Sequence, residues 1–447
     1  MRVGPLAREK IFIRAAKLNQ FLRGYIMDIV RRMDSRAAQR ALERLYGERA
    51  DKQLWRYKAL AKKFAERFGR EDFKFFSAPG RTEILGNHTD HNGGRVLAGS
   101  INLDTIAAAS PRGDGKITVN SEGFDREFCL ELSELGPVYS EQGTTNGLIR
   151  GIAARFKQLG MNIGGFDACI MSDVLRGSGL SSSASVEVLI CQIFSQFYND
   201  GKVSVMDIAQ ISQYAENQYF GKPCGLMDQL ACACGGVVAI DFNEALMPEC
   251  ESVKYDFARK GYSLIITDVR EDHADLTGEY AAITEEMGQI CAHFGVKRLC
   301  ELEEKAFYAS LHELHQAVPD RAILRGIHFF EENKRVQRGI QALKKDRLPD
   351  FFREVILSGE SSWRLLQNLY KPGSIKQSLP LALAASELLL KEDGAWRVHG
   401  GGFGGTIMAF VPNAQRKIYI GQMNRLFGEG AAVELCVRPI GAVCLEM

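Results

Sequence analysis

Three islands rich in glycine and serine lie far apart in the chain, and each carries a different kind of polar group: GRTEILGNHTDHNGG from Gly80, GSGLSSSAS from Gly177 and HGGGFGG from His399. A fourth segment, CGLMDQ from Cys224, sets a single acid, Asp228, among apolar neighbours. Glycine at this density belongs where backbone turns sharply or comes close to something else. Taken together the segments read as the working parts of a phosphate-handling enzyme with a sugar-sized substrate.

Around the islands, periodicity sets the organisation. Residues 5–70 are dense in Arg, Lys, Ala and Leu, with apolar residues returning every three or four positions, which predicts a helical hairpin. Glu and Asp interleave with the basic residues, so the hairpin reads as a solvated appendage packed on the body, not as a nucleic-acid arm. From Phe73 the texture changes to short apolar runs bounded by glycine. RVLAGSINLDTIAAAS, KITVNS, FDACIMSDV, YSLIITDV and GTIMAFV are predicted strands, and AAVELCVRPIGAVCLE returns to strand texture at the end. SASVEVLICQIFSQFY and VMDIAQISQYAENQYFG are predicted helices entered from serine-rich or polar turns, and helical segments dominate from Tyr262's strand up to Gly394. Helix and strand in blocks imply a two-domain α+β chain, without a fixed-period repeat or a low-complexity linker.

Composition limits what such a chain does. With 46% hydrophobic residues among 447, a large core in about two domains is expected. The 56 Lys and Arg nearly cancel the 55 Asp and Glu, leaving +1, which offers no field for nucleic acid or an anionic membrane. Neither a signal-like apolar run near the start nor a stretch of roughly 20 apolar residues is present, so neither secretion nor membrane insertion is expected. The 11 cysteines form no CxxC pair, and Cys232 and Cys234 are too close for the usual zinc spacing. They read as reduced thiols of a cytoplasmic protein.

In the serine-rich island, Gly177 and Gly179 permit a tight turn, and Ser181, Ser182 and Ser183 follow where the helix from Ala184 begins. A glycine-rich turn feeding a helix N-terminus is an anion site, because unpaired N–H groups and the positive dipole end face one point. A simple cap needs only one serine. The chain lacks GxxxxGK[ST], so this nucleotide loop does without the Walker lysine. Gly400, Gly402 and Gly405 spell GxGxxG, but the run follows helical SELLLKED and leads into strand TIMAFV, the reverse of a dinucleotide fingerprint. Asp228 reads either as a structural acceptor or as a catalytic base. Arg81 is its candidate partner, an arginine that would keep the carboxylate ionised and offset charge on a phosphoryl group in transit.

In this order and with these spacings, the islands resemble the motifs of the GHMP small-molecule kinases (galactokinase, homoserine kinase, mevalonate kinase and phosphomevalonate kinase). SAPGR with its GxHTDxxxG continuation, together with CGxMDQ, is similar to galactokinases in particular, over residues from about 60 to the C-terminus. The resemblance implies an N-terminal α/β domain and a C-terminal ferredoxin-like α+β domain with the site between them. The expected limits are 1–55 for a helical extension, 56–245 for the first domain and 246–447 for the second. It implies an ATP-dependent transfer to the C1 hydroxyl of a sugar, with Asp228 and Arg81 as the catalytic pair. His88, Asp90, Gly225 and Tyr280 match sugar-contacting positions, Tyr280 through the similarity of HADLTGEY to HxLxxSEY. Ser183 and Glu216 match Mg2+ positions, and Gly177, Gly179, Ser181 and Ser182 surround the ATP phosphates.

The departures from GRVNLIGEHTDY are Thr82 for Val, Glu83 for Asn, Asn87 for Glu and His91 for Tyr. The family's glutamate at position 87 accepts a hydrogen bond from the sugar's C6 hydroxyl, so Asn87 is expected among the substrate contacts. An amide there removes a negative charge and adds a donor. It admits a second substrate expectation, galacturonate or another sugar altered at C6, and plant galacturonokinases share a non-acidic residue there. A non-catalytic sugar and ATP sensor on the same fold is the alternative from another class, although both the serine loop and the catalytic pair are intact. Mevalonate and homoserine are disfavoured by the HTDH and CGLMDQ segments.

Overall fold

The computed structural model describes residues 33–175, 177–244, 247–271 and 277–446; the first part of the N-terminal extension lies outside them. Strands β1 (Lys74–Leu85), β2 (Arg95–Arg112), β3 (Lys116–Ser121), β4 (Phe128–Glu131), β5 (Gly165–Ser172), β6 (Val237–Asp241) and β7 (Glu249–Val253) build most of the first sheet. The 18-residue β2 is its spine: it pairs with β1 along its length, with β5 over its second half and with β6 over its first. Strand β12 (Val443–Leu445) returns from the C-terminus to pair with β1, giving the order β12-β1-β2-β5-β3-β4 with β6 and β7 branching from β2.

The second sheet is antiparallel, with β8 (Tyr262–Asp268), β9 (Ala395–His399), β10 (Thr406–Pro412) and β11 (Ala432–Leu435) in the order β11-β8-β10-β9. Helices fill the β8-to-β9 and β10-to-β11 connections, which is a ferredoxin-like arrangement. The expected boundaries at 55/56 and 245/246 need correction. β7 and β12 both lie beyond residue 246 yet belong to the first sheet, because strand pairing ignores sequence distance. AAVELCVRPIGAVCLE accordingly splits into two strands in two sheets.

Both faces of the first sheet are covered. Phe76, Ala107 and Ala109 point to one side, against helices α3 (Thr145–Gln158), α4 (Ser182–Tyr198) and α5 (Val205–Ala215). The alternating Phe75, Ile106 and Ala108 point to the other, where the N-terminal hairpin of α1 (Arg36–Tyr46) and α2 (Ala50–Phe68) covers them. α2 straddles residue 55, and its Tyr57, Leu60, Ala61, Phe64 and Ala65 are completely buried. The hairpin is therefore a layer of the core and not the solvated appendage its charges suggest; those charges sit on its outer face.

The hairpin also closes over a buried ionic cluster. Asp104 of β2 accepts hydrogen bonds from Arg56 (2.8 Å), Arg438 (2.9 Å), Ser77 and Tyr46, all without solvent exposure at the carboxylate. Burial alone would push the Asp104 carboxyl up, but the two guanidinium groups hold it below its ordinary value.

A third core joins the sheets: Ile84, Leu97 and Ile101 of the first meet Leu264, Met408 and Phe410 of the second, with α8 (Asp320–Lys344) and α9 (Leu348–Ser361) beside them. The three islands lie along this junction.

Candidate active site

Asp228 stands in the first turn of the short helix α6 (Met227–Cys234). Its Oδ1 receives Arg81 Nε (2.8 Å) and Nη2 (2.7 Å), while Oδ2 receives the Ser181 hydroxyl. Arg81 is 7% exposed and also donates to the Gly179 carbonyl, so its guanidinium is fixed. Asp228 keeps 26% of its side-chain surface open. Burial works against its charge, yet Arg81 and the Ser181 hydroxyl hold the carboxyl below the usual range.

Ser181 stands just before α4 in the left-handed region, at φ 57°. Its hydroxyl goes to Asp228 and caps nothing, so no side chain among the described residues closes the helix start. The first-turn amides of α4 therefore have no side-chain acceptor among the described residues. Gly177 and Gly179 both have positive φ, and Gly179 lies against the His399 ring, where a side chain would crowd Nδ1 at 3.2 Å. Ser182 is half-buried in the first turn. Ser183 donates to Glu216 Oε1 (3.1 Å). Glu216, expected within a helix, lies in a π turn, Glu216–Phe220, that closes α5; it is 2% exposed.

On the other side of Asp228, the first island and CGLMDQ meet. Asp90 lies over Gly225 so closely that a Cβ there would collide with its carboxylate. His88 Nε2 faces the Gly401 carbonyl at 3.0 Å, and the Tyr280 hydroxyl donates to the Gly402 carbonyl at 3.0 Å. The Tyr280 ring stands edge-on to Phe403. Tyr280 is in α7 (Thr277–Phe294), although residues 273–276 of HADLTGEY lie outside the described residues.

Asn87 departs from its expected place among the sugar contacts. It is fully buried, and its amide is spent on protein: Nδ2 donates to Glu83 Oε1 (3.0 Å) and to Gly400 O (2.7 Å), while Oδ1 accepts from Ser362 (3.2 Å) and Asn368 (2.9 Å). The carboxylate missing at position 87 stands beside it as Glu83, paired with the fully buried Arg397 at 2.8 Å.

Other residues that single positions did not flag complete the site. His399 Nε2 accepts from the Glu83 amide (3.2 Å), which leaves the proton on Nδ1, toward Thr406 Oγ1 at 3.0 Å. Burial, then the charges of Arg81 and Arg397, keep this imidazole neutral. HGGGFGG follows the short strand β9 directly, not SELLLKED, and turns into β10 as a hairpin; the missing helix after it excludes a dinucleotide fingerprint. Lys222 reaches Glu216 Oε1 (3.0 Å) from an exposed position, and Gln229 bridges the buried Glu216 and Glu187. A lysine two residues past a glutamate-bearing turn was the available signal for Lys222.

The chain matches two family models: residues 62–111 match the galactokinase galactose-binding signature, and residues 147–236 match the GHMP kinases N terminal domain. It is 30% identical over 387 residues to a galactokinase of Actinobacillus pleuropneumoniae serotype 5b, covering 84% of this chain and 95% of that protein. It is 28% identical to a galactokinase of Clostridium tetani, over 80% of this chain and 89% of that one. Among solved structures, the Lactococcus lactis galactokinase complexed with galactose superposes with a TM-score of 0.75 at 25% identity, over 87% of this chain and 99% of that one. A mevalonate kinase at 18% identity, with a TM-score of 0.59, shares the fold.

Proposed function

The chain belongs to the galactokinase family and is a sugar kinase, and on that premise we propose that Asp228 and Arg81 carry the transfer of the γ-phosphoryl group of ATP to the C1 hydroxyl of galactose. The observation that carries the reading is the half-open Asp228: Arg81 on one oxygen, Ser181 on the other, the uncapped start of α4 on one side and the Asp90–Gly225 contact on the other.

Sugar and nucleotide then meet at the carboxylate. His88, Asp90, Gly225 and Tyr280 hold the sugar side, while Gly177, Gly179, Ser181 and Ser182 offer backbone donors to the phosphates. Asp228 accepts the hydrogen bond of the C1 hydroxyl and aims the oxygen at phosphorus. Because Arg81 keeps the carboxylate a weak base, the proton leaves late, as the new O–P bond forms. Arg81 lies against the same point and balances charge on the transferring group. Most of the rate comes from positioning.

Mg2+ fits Ser183 and Glu216, two hard oxygen donors beside the phosphate site. No cluster of three or more metal-ligating side chains occurs among the described residues, in keeping with an ion held jointly with nucleotide phosphates. When bound, it neutralises phosphate charge. Lys222 adds a second positive charge at the same carboxylate. The 11 free thiols support a reducing, cytoplasmic setting.

A test is ADP release with MgATP against galactose, galacturonate, N-acetylgalactosamine, glucose and arabinose, with the phosphorylated carbon assigned by NMR. Galactose phosphorylated at C1 is the expected result. Galacturonate as the preferred substrate would refute it, as would failure with every sugar. The galacturonate reading loses its premise where Asn87 is concerned, since a carboxylate remains 3.0 Å from the amide.

A further inference from the structure

We propose that Glu83 reads the sugar: its Oε2 accepts a hydrogen bond from a substrate hydroxyl, and its charge turns away a substrate that carries a carboxylate at that point. This rests on the sugar-kinase reading above and names the kind of sugar that the same site takes.

Glu83 and Arg81 share one face of β1, since the register Arg81↔Ser100, Thr82↔Gly99, Glu83↔Ala98 is regular between its two irregularities. Residues two apart on a strand stand about 6.6 Å from each other, roughly the span of a pyranose with its substituents. A sugar whose C1 hydroxyl lies at the Arg81–Asp228 pair thus extends toward Glu83. Burial pushes the Glu83 carboxyl above its ordinary value, while Arg397, then His88 and Arg81, pull it back toward the charged form and Asp90 works against them.

Its two oxygens are unequally employed. Oε1 receives both Arg397 (2.8 Å) and Asn87 (3.0 Å), whereas no donor among the described residues reaches Oε2, and the side chain keeps 5% of its surface open. Arg397 is immobile, fully buried with its remaining donors on Val398 O (2.8 Å) and Ile84 O (3.0 Å). Asn87 is fixed by its four bonds. Together they clamp one oxygen and leave the other with unused lone pairs in a nearly dry site. A buried carboxylate lacking half its hydrogen bonds gains most from a hydroxyl donor. The negative charge that position 87 lacks is supplied four residues earlier, so the exchange of Glu and Asn relocates the acceptor and keeps the cleft closed to anions.

The experiment is a kinetic panel on the full chain: wild type and Glu83→Gln against galactose, each monodeoxygalactose that keeps the C1 hydroxyl, and galacturonate. In wild type one deoxy sugar is expected to lose about 10- to 100-fold in kcat/KM, the worth of a hydrogen bond to a charged group. In Glu83→Gln the galactose KM rises by a similar factor with kcat less affected, the KM for ATP stays, the penalty for that deoxy sugar shrinks, and discrimination against galacturonate falls. An unchanged galactose KM, or a loss equal for every deoxy sugar, would mean that Glu83 only holds Arg397 and would overturn the inference. If Glu83→Gln does not fold, Glu83→Asp withdraws the carboxylate by one methylene while keeping its charge, and the same selective loss is expected. A wild type inactive on all sugars would remove the kinase reading itself, a result distinct from an active enzyme indifferent to Glu83.

Discussion

Asp104 and Asp228 are both aspartates clasped by arginine, and they are used in opposite ways. Asp104 spends its acceptor capacity on Arg56, Arg438, Tyr46 and Ser77, with no surface exposed. Asp228 has Arg81 on one oxygen and Ser181 on the other, and 26% of the side chain faces the cleft. A closed carboxylate can only hold parts together; an open one can accept a substrate proton. The first ties the N-terminal hairpin, β2 and the C-terminal return into one core, whereas the second stands where three islands meet.

Replacing Arg81 by Met strains this contrast most. Turnover is expected to fall by about 10³-fold, as when a charge-stabilising donor is removed. The residual rate should also gain a pH dependence. Burial then acts on Asp228 without its counter-charge, so the carboxyl rises and activity is lost as pH falls through the new value. A rate profile from pH 5 to 8 on both proteins checks the sign.

The mirror experiment is Asp104→Asn. Two buried guanidinium groups lose their counter-charge, and stability should drop by about 3–5 kcal/mol, measured by urea unfolding. Specific activity of the folded fraction should stay close to wild type. A variant as stable as wild type would mean that the closed cluster contributes little.

These two aspartates also mark what could be read beforehand. Asp228 and Arg81 were legible because short motifs carried them, and the strand of Asp104 was legible from RVLAGSINLDTIAAAS. The role of Asp104 was not, because its arginines lie 48 and 334 residues away. The periodicity of the hairpin marked its helices but not the apolar sheet face beneath, which is shared with Leu445 at the other end of the chain. The surroundings of Asn87 were not legible for a local reason: the carboxylate absent at its position stands four residues earlier as Glu83, and only side-chain geometry shows that the two touch. Strand β9 was missed because AWRVH is five residues long and joined to a strong helix signal.

Smaller effects sharpen the picture. His328 is buried between Asn87 O (2.9 Å) and Ser361 Oγ (2.9 Å), and burial lowers its pKa to about 4. Between about pH 6.5 and 4 the unfolded chain binds a proton that the native imidazole refuses, so stability falls as pH drops, by at most about 3 kcal/mol. Neighbouring Glu332, despite burial, is held at about 2 by His328, Arg397 and Arg335, and its contribution is lost from about pH 4.3 downward. Urea unfolding of wild type and His328→Asn at pH 7 and 5 separates the first window, since the variant should lose its slope. The smallest change is Ser183→Ala, which should raise the Mg2+ concentration for half-maximal rate by about tenfold, through loss of one neutral oxygen donor.

The most direct measurement is calorimetric binding of galactose and MgATP to Asp228→Asn, alongside its turnover. Binding within about tenfold of wild type, with turnover down by 10³-fold or more, is the expected result for an open carboxylate that acts on the C1 hydroxyl. Turnover within about tenfold of wild type would contradict it and make Asp228 another Asp104.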